Sequence, residues 1–154
     1  MSRSSYVAAG GAVLTTAVLG VLGTDVSSSW YTRLKKPPFQ PPGAAFGIAW
    51  TVLYALITIS TGRTLTRIEH QKRRRFSLAF ALNLLLNVGW TWVFFRGHRA
   101  GYATVEILAL QASNVDLARR TARVDRTAAL LLAPYLLWVA FASVLTGDIH
   151  RRNR

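Results

Sequence analysis

Residues 128–147 read AALLLAPYLLWVAFASVLTG, twenty positions without a charged side chain. As a helix, twenty residues rise about 30 Å, the thickness of the hydrocarbon core of a bilayer. Working outward, the same reading applies to residues 6–24, 44–62, 76–95 and 101–117, with Glu106 set inside the fourth of these runs and Asp116 next to its end. A soluble helix keeps one face polar because that face meets water. Five such runs in 154 residues leave little polar surface to offer. The sequence therefore predicts an all-α integral membrane protein, a five-transmembrane-helix bundle that forms a single domain over 1–154. The first run is longer than the apolar part of a secretory signal, has only Arg3 ahead of it and shows no small-residue cleavage pattern before Asp25. That favours a retained helix over a cleaved leader.

Nineteen Lys and Arg against six Asp and Glu give a net charge of +13. Such a balance often marks a nucleic-acid binder, but here the basic residues gather between the apolar runs, at 72–75 and at Arg119 and Arg120. That is where a membrane protein meets lipid phosphates, so the expected partner is the lipid bilayer and not nucleic acid. Threading the five runs puts eleven basic residues on one side and eight on the other. By the positive-inside bias the N-terminus then lies in the cytoplasm and the C-terminus outside. With no cysteine in the chain, disulfides, thiolate metal sites and thiol nucleophiles are excluded. His70, His98 and His150 all fall at the ends of apolar runs, so none is an obvious intramembrane haem or metal ligand. No cofactor is required, and a bound ligand is expected to be held without an axial bond.

The first connection, 25–43, is long and contains Lys36-Pro37-Pro38-Phe39-Gln40-Pro41-Pro42. Closely spaced prolines exclude helix and favour extended geometry, making this either a semi-rigid strap over the bundle or a plain spacer ahead of a helix start. Helical spacing puts Trp50 and Tyr54 on one face, Asn83, Asn87, Trp90 and Phe94 on another, and Tyr135, Trp138 and Ala142 on a third. An aromatic stripe alone suits ordinary packing or an interfacial belt. An amide facing lipid is costly, so Asn83 and Asn87 should turn inward, to another helix or to the polar edge of a ligand. Three such stripes point to a cavity that stacks on a flat apolar molecule. Ala8, Ala12, Thr16, Gly20 and Thr24 form a run of small residues that lets another helix approach, within the bundle or between protomers. Glu106 is open to three readings: proton coupling, a ligand contact, or an ion pair with a loop arginine such as Arg99, the last being favoured. No phosphate loop, Ser-His-Asp set or carboxylate pair is present to support catalysis.

Taken in order, Trp30-Tyr31, Leu34, Lys36-Pro37, Phe39, Pro41-Pro42, Phe46, Trp50, Leu53 and Tyr54, then Leu86-Asn87, Trp90 and Phe94-Phe95, then Pro134-Tyr135, Trp138 and Phe141-Ala142-Ser143 resemble the signature of the TspO family, the tryptophan-rich sensory and translocator proteins. The resemblance covers nearly the whole chain. It implies a five-helix bundle, commonly a homodimer, whose pocket under the first loop takes protoporphyrin IX and related tetrapyrroles, sterols and benzodiazepine-type drugs. Carried onto this sequence, the pocket comprises Trp50, Tyr54, Asn87, Trp90, Phe94, Tyr135, Trp138 and Ala142, with Trp30 and Phe39 in the lid. The expected function is porphyrin binding in tetrapyrrole transport or stress sensing, with rings stacked on Trp50 and Trp138 and the propionates met by Asn87 and loop donors. The alternatives are light- and oxygen-dependent porphyrin breakdown and a proton-coupled exporter that uses Glu106. Two departures from the family pattern stand out: Phe39 replaces a frequent tryptophan, and Thr146-Gly147 replaces the Asn-Tyr pair of animal members, which argues against a high-affinity sterol role.

Overall fold

The computed structural model describes residues 2–154, and every regular element among them is helical. In chain order these are α1 (Ser2–Gly23), α2 (Ser29–Arg33), α3 (Gly43–Arg67), α4 (His70–Thr91), α5 (Ala100–Ala122), α6 (Arg126–Leu131) and α7 (Ala133–Arg152); α4 continues into a π-helical turn, Trp92–Arg96. The long helices alternate in direction, as bonds between their ends demonstrate. At one end Arg73 of α4 donates to Ser5 Oγ of α1 (3.3 Å), and Arg63 of α3 meets Asp125 just ahead of α6. At the other end Trp92 Nε1 donates to the Leu19 carbonyl (3.0 Å) and Arg96 to that of Leu22 (2.9 Å).

Polarity in this bundle is inverted relative to a water-soluble one. Val7, Leu14 and Val21 on α1, Ile48 and Val52 on α3, Leu78, Leu82 and Leu85 on α4, and Leu137 and Val144 on α7 all turn outward, while Ser60, Thr61, Thr64, Asn83, Asn114 and Thr146 are buried. Lipid is the solvent that accepts such a surface. Arg3–Gly23, Gly43–Arg67, His70–Arg96 and Arg126–Arg152 are each long and apolar enough to cross a bilayer. The protein is an integral, multi-pass membrane protein. The segment at 101–117 does form a long helix, α5, but Glu106, Gln111, Asn114 and Asp116 lower its hydropathy, and α5 does not count as a fifth span by composition alone.

Several boundaries differ from those the sequence predicts. α3 runs on to Arg67, α4 begins at His70 and so includes the basic residues at 72–75, and α7 extends to Arg152. Hydropathy marks the hydrocarbon layer, whereas a helix continues through the headgroup region with its charged side chains extended to water. The last apolar run is not one helix: it breaks at Leu132 between α6 and α7, since Pro134, in the first turn of α7, has no N–H to give and its ring crowds the preceding turn. The first connection carries a short helix, α2, started by Ser28, whose Oγ accepts from the Tyr31 N–H (3.2 Å). The proline segment after it is non-helical. On α1 the buried line is Ser5, Ala9, Val13 and Thr16, with Ala8 outward, one position off the stripe of small residues seen in the sequence. α1 nevertheless packs closely within the bundle: at Gly62 of α3 a Cβ would overlap the ring of Tyr6.

Asp125 ties the basic end together. Its Oδ1 accepts from the Ala128 N–H (3.1 Å), starting α6, while its Oδ2 accepts from Arg63 Nε (3.0 Å) and lies 3.2 Å from Arg67 Nη1. The Ala128 N–H first, and then the two guanidinium charges, hold this carboxyl below the usual carboxylate range. A group whose folded pKa is depressed contributes stability above its unfolded pKa, about 3.9 for Asp, and that contribution is lost as pH falls through the folded value. Asp125→Asn is therefore expected to flatten the acid side of a thermal-midpoint profile taken from pH 6 downward. An acid limb identical in wild type and variant would show that this cluster does not couple to folding.

Candidate functional site

Pro42 precedes the first residue of α3, and from there the four-residue spacing sets Phe46, Trp50 and Tyr54 along one face. Trp50 and Tyr54 lie 5.4 Å apart at 32°. Facing them are Asn87 and Trp90 of α4, with Trp90 stacked on Phe94 at 5.3 Å and 13°. Phe94 belongs to the π turn, where the Gly97 N–H reaches back five residues to the Trp92 carbonyl (2.8 Å). This local widening brings the adjacent Phe94 and Phe95 both into the interior. Gly20 of α1 and Thr24 just past its end form a third side, Thr146 and Ile149 of α7 a fourth, and Tyr31 and Gln40 of the strap the roof. Together they enclose a mostly apolar cavity of about 570 Å³, within the range of small-molecule sites.

The strap is tied to the end of the chain and braced by bonds within itself. Lys35 N–H donates to Asn153 Oδ1 (2.9 Å) and Asn153 Nδ2 donates back to the Lys35 carbonyl (3.0 Å). Gln40 Nε2 donates to Tyr31 Oη (3.2 Å) and Lys36 Nζ to the Tyr31 carbonyl (2.8 Å).

Of the residues the sequence nominates, Trp50, Tyr54, Asn87, Trp90 and Phe94 line the cavity; Trp30, Phe39, Tyr135, Trp138 and Ala142 do not. Trp138 stands behind the wall, edge-on to Trp50 (6.5 Å, 86°) and to Phe46 (5.5 Å, 75°). Tyr135 is buried below the Tyr54–Asn87 level, and Ala142 gives its carbonyl to Thr146 Oγ1 (2.7 Å), one turn nearer the cavity. Trp30 stacks on His98 (4.8 Å, 14°) outside the cavity, and Phe39 is half exposed against Phe141. Phe46, Phe95 and the α1 residues are walls that the stripes missed. Phe46 lies four residues before Trp50, so extending that stripe by one turn reaches it.

A polar chain crosses the bundle beneath this cavity, each link donating in the same sense. Tyr54 Oη donates to Asn87 Oδ1 (3.4 Å), Asn87 Nδ2 to Tyr135 Oη (2.9 Å), Tyr135 Oη to Asn83 Oδ1 (3.1 Å), Asn83 Nδ2 to Asn114 Oδ1 (2.7 Å), Asn114 Nδ2 to Gln111 Oε1 (3.1 Å) and Gln111 Nε2 to the Leu136 carbonyl (3.0 Å). A backbone carbonyl can only accept, so that last bond orients every amide and hydroxyl before it. Asn83 and Asn87 thus bond to other helices, and one N–H of the Asn87 amide is committed to Tyr135. By contrast, Trp90 Nε1 and Gln40 Oε1 are buried on residues that line the cavity and have no partner. The expected Glu106–Arg99 pair is not formed: both Glu106 oxygens are buried without a partner, while Arg99 lies over the Tyr102 ring, 5.4 Å from its centroid. Glu106 stands where Gly89 of α4 has no side chain to block it, since a Cβ there would sit 3.0 Å from Oε1.

Apolar outer faces around a strapped aromatic cavity define a polytopic helical membrane protein with an interior chamber. The family model described as TspO/MBR matches residues 9–152. The chain is 34% identical over 145 residues to the tryptophan-rich protein TspO of Chlorobaculum tepidum, covering 93% of this chain and 92% of that one. It is 36% identical over 145 residues to the TspO of Archaeoglobus fulgidus (92% and 94% covered), and 31% identical over 156 residues to the translocator protein of Ovis aries (97% and 92% covered). The protein belongs to the TspO/MBR family.

Proposed function

We propose that the protein binds porphyrins and related tetrapyrroles, protoporphyrin IX among them, between Trp50 and the Trp90–Phe94 pair, and that it acts in tetrapyrrole transport or stress sensing. The observation that carries this reading is the pairing of aromatic walls with unspent polar groups in one cavity. Trp50 and Trp90 offer faces to a flat ring, while Trp90 Nε1–H and Gln40 Oε1 have no protein partner. Buried polar groups left unpaired are costly, and a ligand that meets them recovers that cost. One N–H of Asn87 Nδ2 is spent on Tyr135, so the donors left for propionates are its second N–H, Trp90 Nε1–H and the strap.

In this reading α5 is the fifth span. Val105 and Leu108 face outward, while its polar Gln111 and Asn114 are spent in the interior network, so mean hydropathy understates how well it suits lipid. The N-terminus lies in the cytoplasm, the C-terminus outside, and the chain works as a homodimer.

Titrating detergent-purified protein with protoporphyrin IX, in the dark and then under illumination, tests the assignment through Soret absorbance and tryptophan quenching. Saturable micromolar binding is the expected result. The alternative, porphyrin breakdown, is favoured by tryptophans standing as electron donors on the cavity wall. It predicts bleaching of bound pigment with a new product in light and oxygen. Absence of saturable binding would sink both readings.

A further inference from the structure

A second cavity of about 580 Å³ opens at the strap end of the bundle, outside the aromatic chamber, where α2, the turn ahead of α5 and the end of α7 converge. Its polar side consists of His98, Arg99, His150 and Asn153. Neither Asp nor Glu lines it, and the nearest acid along α7, Asp148, is already engaged by Arg151 and Arg152. Among the described residues the Arg99 guanidinium has no acidic partner and lies over the Tyr102 ring. His98 takes φ 54, a left-handed conformation unfavourable for a residue with a side chain. Leaving the π turn in this way lays its imidazole flat on Trp30, at the cavity edge. His150 reaches the first turn of α5 because Gly101 leaves it room: a Cβ there would lie 2.9 Å from the imidazole Cε1.

Behind these side chains is the amino end of α5, a helix of 23 residues that no side chain caps. Its first amides point toward the cavity end of the helix and carry the positive pole of the helix dipole. The other walls are apolar. Leu34 comes from the strap, and Tyr102 and Val105, 66% and 67% exposed, continue down the lipid-facing side of α5. A guanidinium, two imidazoles and a helix amino end at the membrane surface, above an apolar groove, match one chemistry: an anionic phosphate group carried on, or lying beside, an alkyl chain.

We propose that this cleft is a phosphate-binding site, with Arg99 as the charged ligand, His98 and His150 as flanking donors and the first turn of α5 beneath. The phosphate comes either from the headgroup of an anionic phospholipid or from solution. Native mass spectrometry of the full-length protein, equilibrated with phosphatidylglycerol, phosphatidylcholine or inorganic phosphate, separates these sources. We expect one phosphatidylglycerol retained per chain, about fivefold to tenfold more strongly than phosphatidylcholine, as one arginine contact at the membrane surface would give. Arg99→Ala should erase that preference, and Gly101→Val, which fills the site without removing a charge, should do the same. Inorganic phosphate binding lost in both variants, without a lipid preference, would assign the same site to a soluble phosphate. Retention of phosphatidylglycerol and phosphate unchanged by either variant would overturn the proposal. None of these residues lines the aromatic chamber, so protoporphyrin titration should be unaffected, and the two assignments stand or fall separately.

Discussion

Asn83→Leu is expected to lower the stability of the bundle by about 2–4 kcal/mol, the sum for two buried polar groups orphaned at about 1–2 kcal/mol each. Asn83 is wholly buried; its Nδ2 donates to Asn114 Oδ1 and Ser113 Oγ, and its Oδ1 receives the Tyr135 hydroxyl. Leucine matches the volume but strands Asn114 and Tyr135 in an interior with no water to replace the bonds. Average interhelical polar contacts in membranes are worth less, about 0.6 kcal/mol, because the unfolded chain in lipid finds partners too. Asn83 exceeds that average because it bridges α4 to both α5 and α7, so its loss breaks the chain in the middle. Tyr135→Phe removes one hydroxyl and should cost less. Since both variants cut the same link, the double variant should cost clearly less than the sum of the single ones. Thermal unfolding of the four proteins in one detergent measures this; strict additivity would mean that the groups act independently.

The same residue shows what a sequence can and cannot disclose. That Asn83 and Asn87 turn inward is legible, because an unpaired amide in lipid has no good alternative. Which partner they find is not legible, because Asn114 and Tyr135 come from helices 31 and 52 positions on, whose rotation and height the sequence does not state. Helical periodicity gives the angle of a side chain around its axis but not its depth in the bundle. Hence Trp50, Tyr54, Trp90 and Phe94 are found on the cavity wall, whereas Trp138, with the same inward angle on α7, stands behind Trp50 and the cavity meets α7 only at 145–149. On α1, Gly10 and Gly11 join alanines on neighbouring positions. Small residues therefore occur on nearly every face, and the packed stripe is ambiguous by one step. The π turn has no sequence signature at all, yet it is what brings Phe94 and Phe95 inward together. In α5 the interior polar residues lower the mean hydropathy, while Val105 and Leu108 keep an apolar outer face.

Depth also decides which tryptophan controls ligand affinity. Trp50→Ala is expected to weaken protoporphyrin IX binding about thirtyfold. A stacked aromatic pair contributes about 1 kcal/mol beyond burial, and the ring face no longer covered adds about 1 kcal/mol more; about 2 kcal/mol corresponds to that factor in Kd. Trp50→Phe keeps a ring in place and should lose only a few-fold. Trp138→Ala acts at one remove, by withdrawing the edge that supports Trp50 and Phe46, so its effect should fall between these two. Trp90→Phe tests a different element, because it preserves the stack on Phe94 while deleting the unpartnered Nε1–H. If that donor meets a ligand oxygen, affinity should drop about tenfold, as for a hydrogen bond to a charged group. If Trp90→Phe binds as tightly as wild type while Trp50→Ala does not, the ring is held by stacking alone and the propionates lie toward the strap. A Trp138→Ala variant weaker than Trp50→Ala would place the ligand on the far side of Trp50, outside the chamber described above. Each titration belongs on protein whose helical content and thermal midpoint match wild type, so that lost affinity reports the cavity and not the fold.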